Sequence, residues 1–276
     1  MTSSQAFNRT NTVSQLIDAR ADIAPQKIAV IDRGRIWTYA ELVAESRRLA
    51  GGLLKLGIGS GDRVGFWLPN IAQYLTLHIA CARIGAITIS INTRFRSSEV
   101  GDIVGRSGCR ALVLWPSFKD IEFLDILAEV DSTQLEQLEF LITYSEDHQV
   151  TQLPGCLLSR RTVSYTDLAR SKMVASPAAN AQGGVVVFTT SGTTAAPKFV
   201  LHSQASIAHH AQDVASCFGW NTPDATLLQV LPLCGTFGHA GAMAALSAGC
   251  PMVLMPVFSD HEAVQLMQSH RITHCN

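Results

Sequence analysis

Between two apolar runs the chain reads Thr189-Thr190-Ser191-Gly192-Thr193-Thr194-Ala195-Ala196-Pro197-Lys198, placing five hydroxyls, a glycine and a lysine within ten residues. Phosphate oxygens accept hydrogen bonds, so a loop that wraps them needs free backbone N–H groups, hydroxyl donors, a glycine for close approach and a cation. This stretch offers all four, with Thr190, Ser191, Gly192, Thr193, Thr194 and Lys198 as the candidate phosphate-binding residues. It is not a Walker A loop, because Pro197 precedes the lysine and Phe199 follows it.

A loop of this kind works only if rigid elements hold its ends. Gly184 to Phe188 is short, β-branched and uncharged, which predicts a buried strand before the loop, and Phe199 to Leu201 predicts another after it. The rest of the chain alternates in the same manner. Helices are predicted near 12–24, 38–56, 70–82, 98–106, 118–130, 165–170, 207–219, 240–248 and 259–270. Strands are predicted near 27–32, 64–68, 86–91, 111–115, 140–143, 227–231 and 252–255, with a last one beginning at 271. Thr38 and Glu41 form a capping-box pattern, Asn70 with Gln73 and Ser259 with Glu262 read as further helix starts, and Leu42, Leu49, Leu53 and Leu56 share one helical face. The expected fold class is α/β, with layered, largely parallel sheets and flanking helices.

Several tempting features carry ordinary readings. Gly57, Gly59 and Gly61 follow a helix and precede a strand, the reverse of the dinucleotide-binding order, so they predict a turn and argue against a nicotinamide-dependent enzyme. His78 falls on an apolar helical face and reads as a core histidine with satisfied nitrogens. His209 and His210 are adjacent and point to different faces of one helix, so they do not form a ligand pair, and no metal site is expected.

The totals set limits. With 276 residues, 47% apolar and 16% charged, the chain can bury a substantial core. A formal net charge of −1 gives no basic footprint for nucleic acid. Seven scattered cysteines without a C-x-x-C pair suggest a reducing, cytoplasmic setting. The longest apolar stretch, 240–258, is interrupted by Gly249 and Pro251, so no membrane span is expected.

Thr190-Ser191-Gly192-Thr193-Thr194 followed by Pro197-Lys198 resembles the signature loop of the adenylate-forming superfamily, which includes acyl-CoA synthetases, luciferases and nonribosomal peptide adenylation domains. Thr38-Tyr39-Ala40-Glu41-Leu42, Gly61-Asp62-Arg63-Val64, Leu68-Pro69-Asn70 and Gly85-Ala86 resemble its early region. Ala195 and Phe199 stand where the family commonly has glycine. Pro232 to His239 resembles the segment that meets the carboxylate substrate, with Gly235, Phe237, Gly238 and His239 as pocket candidates, and Cys234-Gly235 replacing the family's aromatic-histidine pair.

The resemblance implies an ATP-dependent activation of a small carboxylic acid, fatty or aryl, to an acyl-adenylate, with Mg²⁺ assisting and coenzyme A as the acyl acceptor. It covers nearly all of 1–276 but only the earlier part of the family's sequence, so the chain is expected to be a truncated N-terminal domain. Two subdomains are expected, 1–170 and 183–276, joined by an irregular segment. The family's later acidic, aspartate, arginine and lysine motifs have no counterpart here, so no catalytic residue is assigned and adenylation by these residues alone is not expected. The alternative is a non-catalytic nucleotide-binding fragment, or half of a split enzyme whose partner chain carries the missing C-terminal part.

Overall fold

The computed structural model describes residues 11–146, 153–174, 179–190 and 197–276. In chain order the first half holds α1 (Val13–Ile23), β1 (Ile28–Asp32), β2 (Arg35–Thr38), α2 (Tyr39–Lys55), β3 (Arg63–Trp67), α3 (Ala72–Ile84), β4 (Ile87–Ser90), α4 (Ser97–Ser107) and β5 (Ala111–Leu114). A small hairpin of β6 (Ser117–Phe118) and β7 (Ile121–Glu122) leads to α5 (Phe123–Ala128), β8 (Phe140–Thr143), β9 (Arg161–Ser164) and α6 (Tyr165–Ala169). The remainder is β10 (Gly184–Thr190), β11 (Lys198–Ser203), α7 (Gln204–Cys217), β12 (Leu227–Gln229), α8 (Thr236–Ala248), β13 (Met252–Leu254), α9 (Asp260–Ser269) and β14 (His274–Cys275).

Two larger sheets organise these elements. One runs β14-β12-β13-β1-β2 and the other β11-β10-β4-β3-β5-β8-β9. Neighbours are parallel except β1 with β2 and β10 with β11. The largely parallel α/β architecture is as expected. Each sheet takes strands from both sides of 171–182, so the expected subdomains 1–170 and 183–276 share both sheets.

Helices α3 and α8 lie between the sheets. Every residue of α3 is buried, and the helix packs on β1 of one sheet and β4 of the other. Helix α8 packs on β12 and β13, while its His239 meets Phe188 of β10 at 5.2 Å between ring centroids. A helix enclosed on two sides needs no polar face, which is why both are apolar around nearly their whole circumference. Small residues in α8 (Gly238, Ala240, Gly241, Ala242, Ala244, Ala245) let it fit close to its neighbours.

Local chemistry sets the helix starts. Thr38 Oγ1 accepts from the Glu41 N–H, and Glu41 Oε2 accepts from the Thr38 N–H at 2.8 Å, closing the capping box. The expected Asn70–Gln73 start of α3 is corrected: the helix begins at Ala72 after Ile71, which offers no capping side chain. Instead the Ala72 N–H donates to Asp32 Oδ2 at 2.9 Å, a buried carboxylate at a helix N-terminus, supplied from 40 residues away. Asn70 serves a different purpose, donating to the Leu231 carbonyl and accepting from the Leu233 N–H. The helix expected over 118–130 is also shorter than its pattern, because Lys119 turns with φ +54° inside the β6–β7 hairpin and α5 starts only at Phe123.

Among the described residues no helix is long and apolar enough to cross a membrane.

Candidate functional site

Strands β10 and β11 form an antiparallel hairpin in which Thr190 pairs with Lys198, Phe188 with Val200 and Val186 with His202. The hydroxyl-rich loop therefore joins two cross-strand neighbours. Ser191, Gly192, Thr193 and Thr194 lie outside the described residues; Thr190 and Lys198, which bracket them, are exposed. Side chains alternate along a strand, and directly paired residues share a face. Val186, Phe188, Thr190, Lys198, Val200 and His202 accordingly occupy one face of the hairpin, while Val187, Thr189, Phe199 and Leu201 occupy the other.

On the first face lies a cavity of about 240 Å³, lined by Phe188, His202, Ser206, Ile207, His210, Ala211, Thr236, His239, Ala240 and Met243. Phe188 and His202 come from the hairpin, Ser206 to Ala211 from α7, and Thr236 to Met243 from α8. Thr190 is two positions beyond Phe188, so the loop end and the cavity lie roughly 7 Å apart along the strand.

The four residues singled out near α8 take different places. His239 lines the cavity and is buried. Gly235 is the residue before the helix, and Phe237 is 81% exposed, away from the cavity. At Gly238 an added Cβ would stand 2.1 Å from the Pro232 carbonyl oxygen, so this position serves a close backbone approach. Sequence reasoning did not single out Phe188, His202, Ser206 or Thr236 as a group. For Phe188 and His202 the available signal was their alternation with Thr190 and Lys198 along β10 and β11, whereas Ser206 and Thr236 come from α7 and α8 and share no such pattern.

Behind the cavity, His239 Nε2 and His78 Nε2 are 3.1 Å apart, and His78 Nδ1 is 3.0 Å from Thr88 Oγ1. A hydrogen bond between two Nε2 atoms requires one to carry the proton and the other to accept, so the two imidazoles cannot both be charged. Burial pushes the His78 imidazole down to about 4. Burial also pushes His239 well below its ordinary value, with His78, His202 and His210 adding to the effect.

These shifts give stability a defined pH dependence. The unfolded imidazole takes up a proton below about pH 6.5, whereas folded His78 does not until about pH 4, so the unfolded state binds more protons between those values and stability falls with pH. His78 alone should remove about 2 kcal/mol between pH 7 and pH 5. Urea denaturation at both pH values should show a smaller loss in His78→Gln. An equal loss in that variant would mean other groups carry the dependence.

A family model described as AMP-binding enzyme matches residues 17–276. YngI of Bacillus subtilis is 28% identical over 280 residues, covering 95% of this chain and 50% of that protein. The mitochondrial medium-chain acyl-CoA ligase ACSF2 of Homo sapiens is 25% identical over 286 residues, covering 96% of this chain and 46% of that protein. The inhibitor-bound crystal structure of the N-terminal domain of FACL13 from Mycobacterium tuberculosis matches with a TM-score of 0.78 at 26% identity, over 96% of this chain and 62% of that one. The chain spans about half the length of the curated relatives it matches.

Proposed function

The chain belongs to the AMP-binding enzyme family, and from that premise we propose that it serves the activation of a carboxylic acid by ATP, with the acyl group passed on to coenzyme A. The observation that supports this reading is the shared face of the β10–β11 hairpin, where the loop ends Thr190 and Lys198 continue directly into the cavity lined by Phe188, His202 and His239. A carboxylate attacking the α-phosphorus of ATP needs its apolar body and the triphosphate held end to end, and this face offers a place for each.

In the proposal, Lys198 and Thr190 hold the β- and γ-phosphates together with Ser191, Gly192, Thr193 and Thr194. They thereby stabilise the charge that gathers as pyrophosphate departs. The cavity takes the non-reacting part of a small acid, fatty or aryl. His239, held well below its ordinary pKa by burial, presents an imidazole edge there without placing a charge beside an apolar group. ATP brings Mg²⁺ in the family's chemistry. Among the described residues no group of three or more His, Cys, Asp or Glu side chains is placed to hold a metal. Residues 1–276 act as one AMP-binding N-terminal unit in a cytoplasmic setting.

The test is binding of MgATP and of inorganic tripolyphosphate to this chain by calorimetry. Lys198→Ala should weaken both about ten-fold or more, the scale of a lost hydrogen bond to a charged group. Acid-dependent ATP–pyrophosphate exchange by the whole protein should fall in parallel. Unchanged affinity in the variant would show that the phosphates do not lie at Lys198.

A further inference from the structure

Lys198 points from the cavity face of the hairpin, and its two neighbours in sequence are gripped from elsewhere in the fold. Arg106, in the last turn of α4, donates from Nη2 to the Pro197 carbonyl at 2.7 Å, and its guanidinium carbon stands 4.4 Å from the centroid of the Phe199 ring. The same guanidinium is held in turn by Asp102, one helical turn earlier, through Nε–Oδ1 at 2.7 Å and Nη2–Oδ2 at 2.6 Å. The planar fork of an arginine can do these three things at once, since its in-plane donors serve the carboxylate and the carbonyl while its face lies on the ring.

We propose that Arg106 is a positioning residue for Lys198, fixing the backbone on both sides of the lysine so that its ammonium is directed toward bound phosphate. Phe199 projects from the opposite face of the hairpin to Lys198, so Arg106 acts from behind the strand and need not reach the phosphate itself. Phe199 gains a specific purpose by this reading: a glycine there would offer no ring for the guanidinium. The exit of the loop is then anchored by a charged, stacked and doubly bonded side chain where β11, among the described residues, is an edge strand with a neighbour on one side only.

This inference rests on the proposed phosphate role of Lys198, so its experiment has one arm that depends on that role and one that does not. The independent arm is cleavage after Lys198 by endoproteinase Lys-C, followed by mass spectrometry, with cleavage after Lys55 as the internal reference. Arg106→Ala and Phe199→Gly should each accelerate cleavage after Lys198 about ten-fold without changing the Lys55 rate. Arg106→Lys should also accelerate it, because an ammonium cannot stack and bond in the same plane. A role confined to the stability of α4 would leave the Lys198 rate at its wild-type value, and that result overturns the proposal.

The dependent arm is tripolyphosphate affinity. Arg106→Ala should weaken it about five-fold in the wild-type background and add no further loss in the Lys198→Ala background. Equal losses in both backgrounds would also overturn the proposal, because Arg106 would then act on phosphate without Lys198. If the wild-type chain binds no tripolyphosphate, the phosphate reading of Lys198 fails and the proposal falls with it, even where accelerated cleavage shows that Arg106 anchors the strand.

Discussion

Replacing Asp18 with alanine is expected to lower stability by about 3–5 kcal/mol, the usual cost of removing one partner of a buried ion pair. Asp18 on α1 meets Arg83 on α3 through two bonds, Oδ2 to Nη1 at 2.7 Å and Oδ1 to Nη2 at 2.5 Å. The Arg83 side chain is 0% exposed and also donates from Nε to Ser46 Oγ of α2. Arg47 of α2 approaches the same carboxylate at 3.6 Å. Three helices thus converge on one carboxylate, and Asp18→Ala takes it from an arginine whose side chain is fully buried. The fall in Tm should be roughly 6–15 °C. The double variant Asp18→Ala/Arg83→Met should recover most of it, because an apolar side chain of similar length fills the same space without a charge to desolvate. A double variant no better than Asp18→Ala would show that the loss came from packing on α1 and not from the stranded charge.

Gly238→Ala is expected to cost more than about 3 kcal/mol, at the upper end of what overpacking does. The added methyl would meet the Pro232 carbonyl oxygen at 2.1 Å, the Pro232 carbonyl carbon at 2.6 Å and the Leu231 oxygen at 2.7 Å. All three are backbone atoms, so no rotamer change relieves the contact and the first turn of α8 must move away from the 231–232 segment. That turn carries Thr236 and His239 into the cavity wall, so a chain that still folds should also have an altered cavity. Gly235→Ala is the control. Its nearest neighbour would be the Pro232 oxygen at 3.4 Å, ordinary contact, and its cost should stay at about 1 kcal/mol or less, the scale of an N-cap change. Chemical denaturation of both variants checks the contrast. Similar losses at the two positions would mean that the glycines matter for helix capping and not for close approach.

Local signals carried much of the fold. The capping box at Thr38, the Ser259 cap, and the buried strands at 140–143 and 184–188 were legible because a helix start or a β-branched run is decided by residues within a few positions of one another. The hidden features depend on partners far away along the chain. Asp32 replaced Asn70 as the residue at the start of α3, and His78 found its second hydrogen-bond partner in His239, 161 positions later. The apolar face that correctly placed His78 in the core gave no hint of which residue would satisfy it. Pro197-Lys198 read as the exit of a phosphate loop, yet nothing in that stretch announced Arg106, because a surface arginine in a helical pattern has no distinguishing neighbours in sequence. The cavity was legible only at His239, since its other walls come from three separate elements.

The parallel pairing of β1 with β13 also bears on how the chain is made. Val30 waits for Met252, about 220 residues later, and at a synthesis rate of roughly 5–20 residues per second that interval is roughly 10–45 s. The β1–β2 hairpin can close early on the ribosome, but the other edge of Ile28–Asp32 stays open until nearly the whole described chain has emerged. During that time it is a template for strands of neighbouring nascent chains. Yield from a crowded polysome is therefore governed by what first meets that edge, and slower initiation or chaperone cover should raise it without any change in the stability of the finished protein.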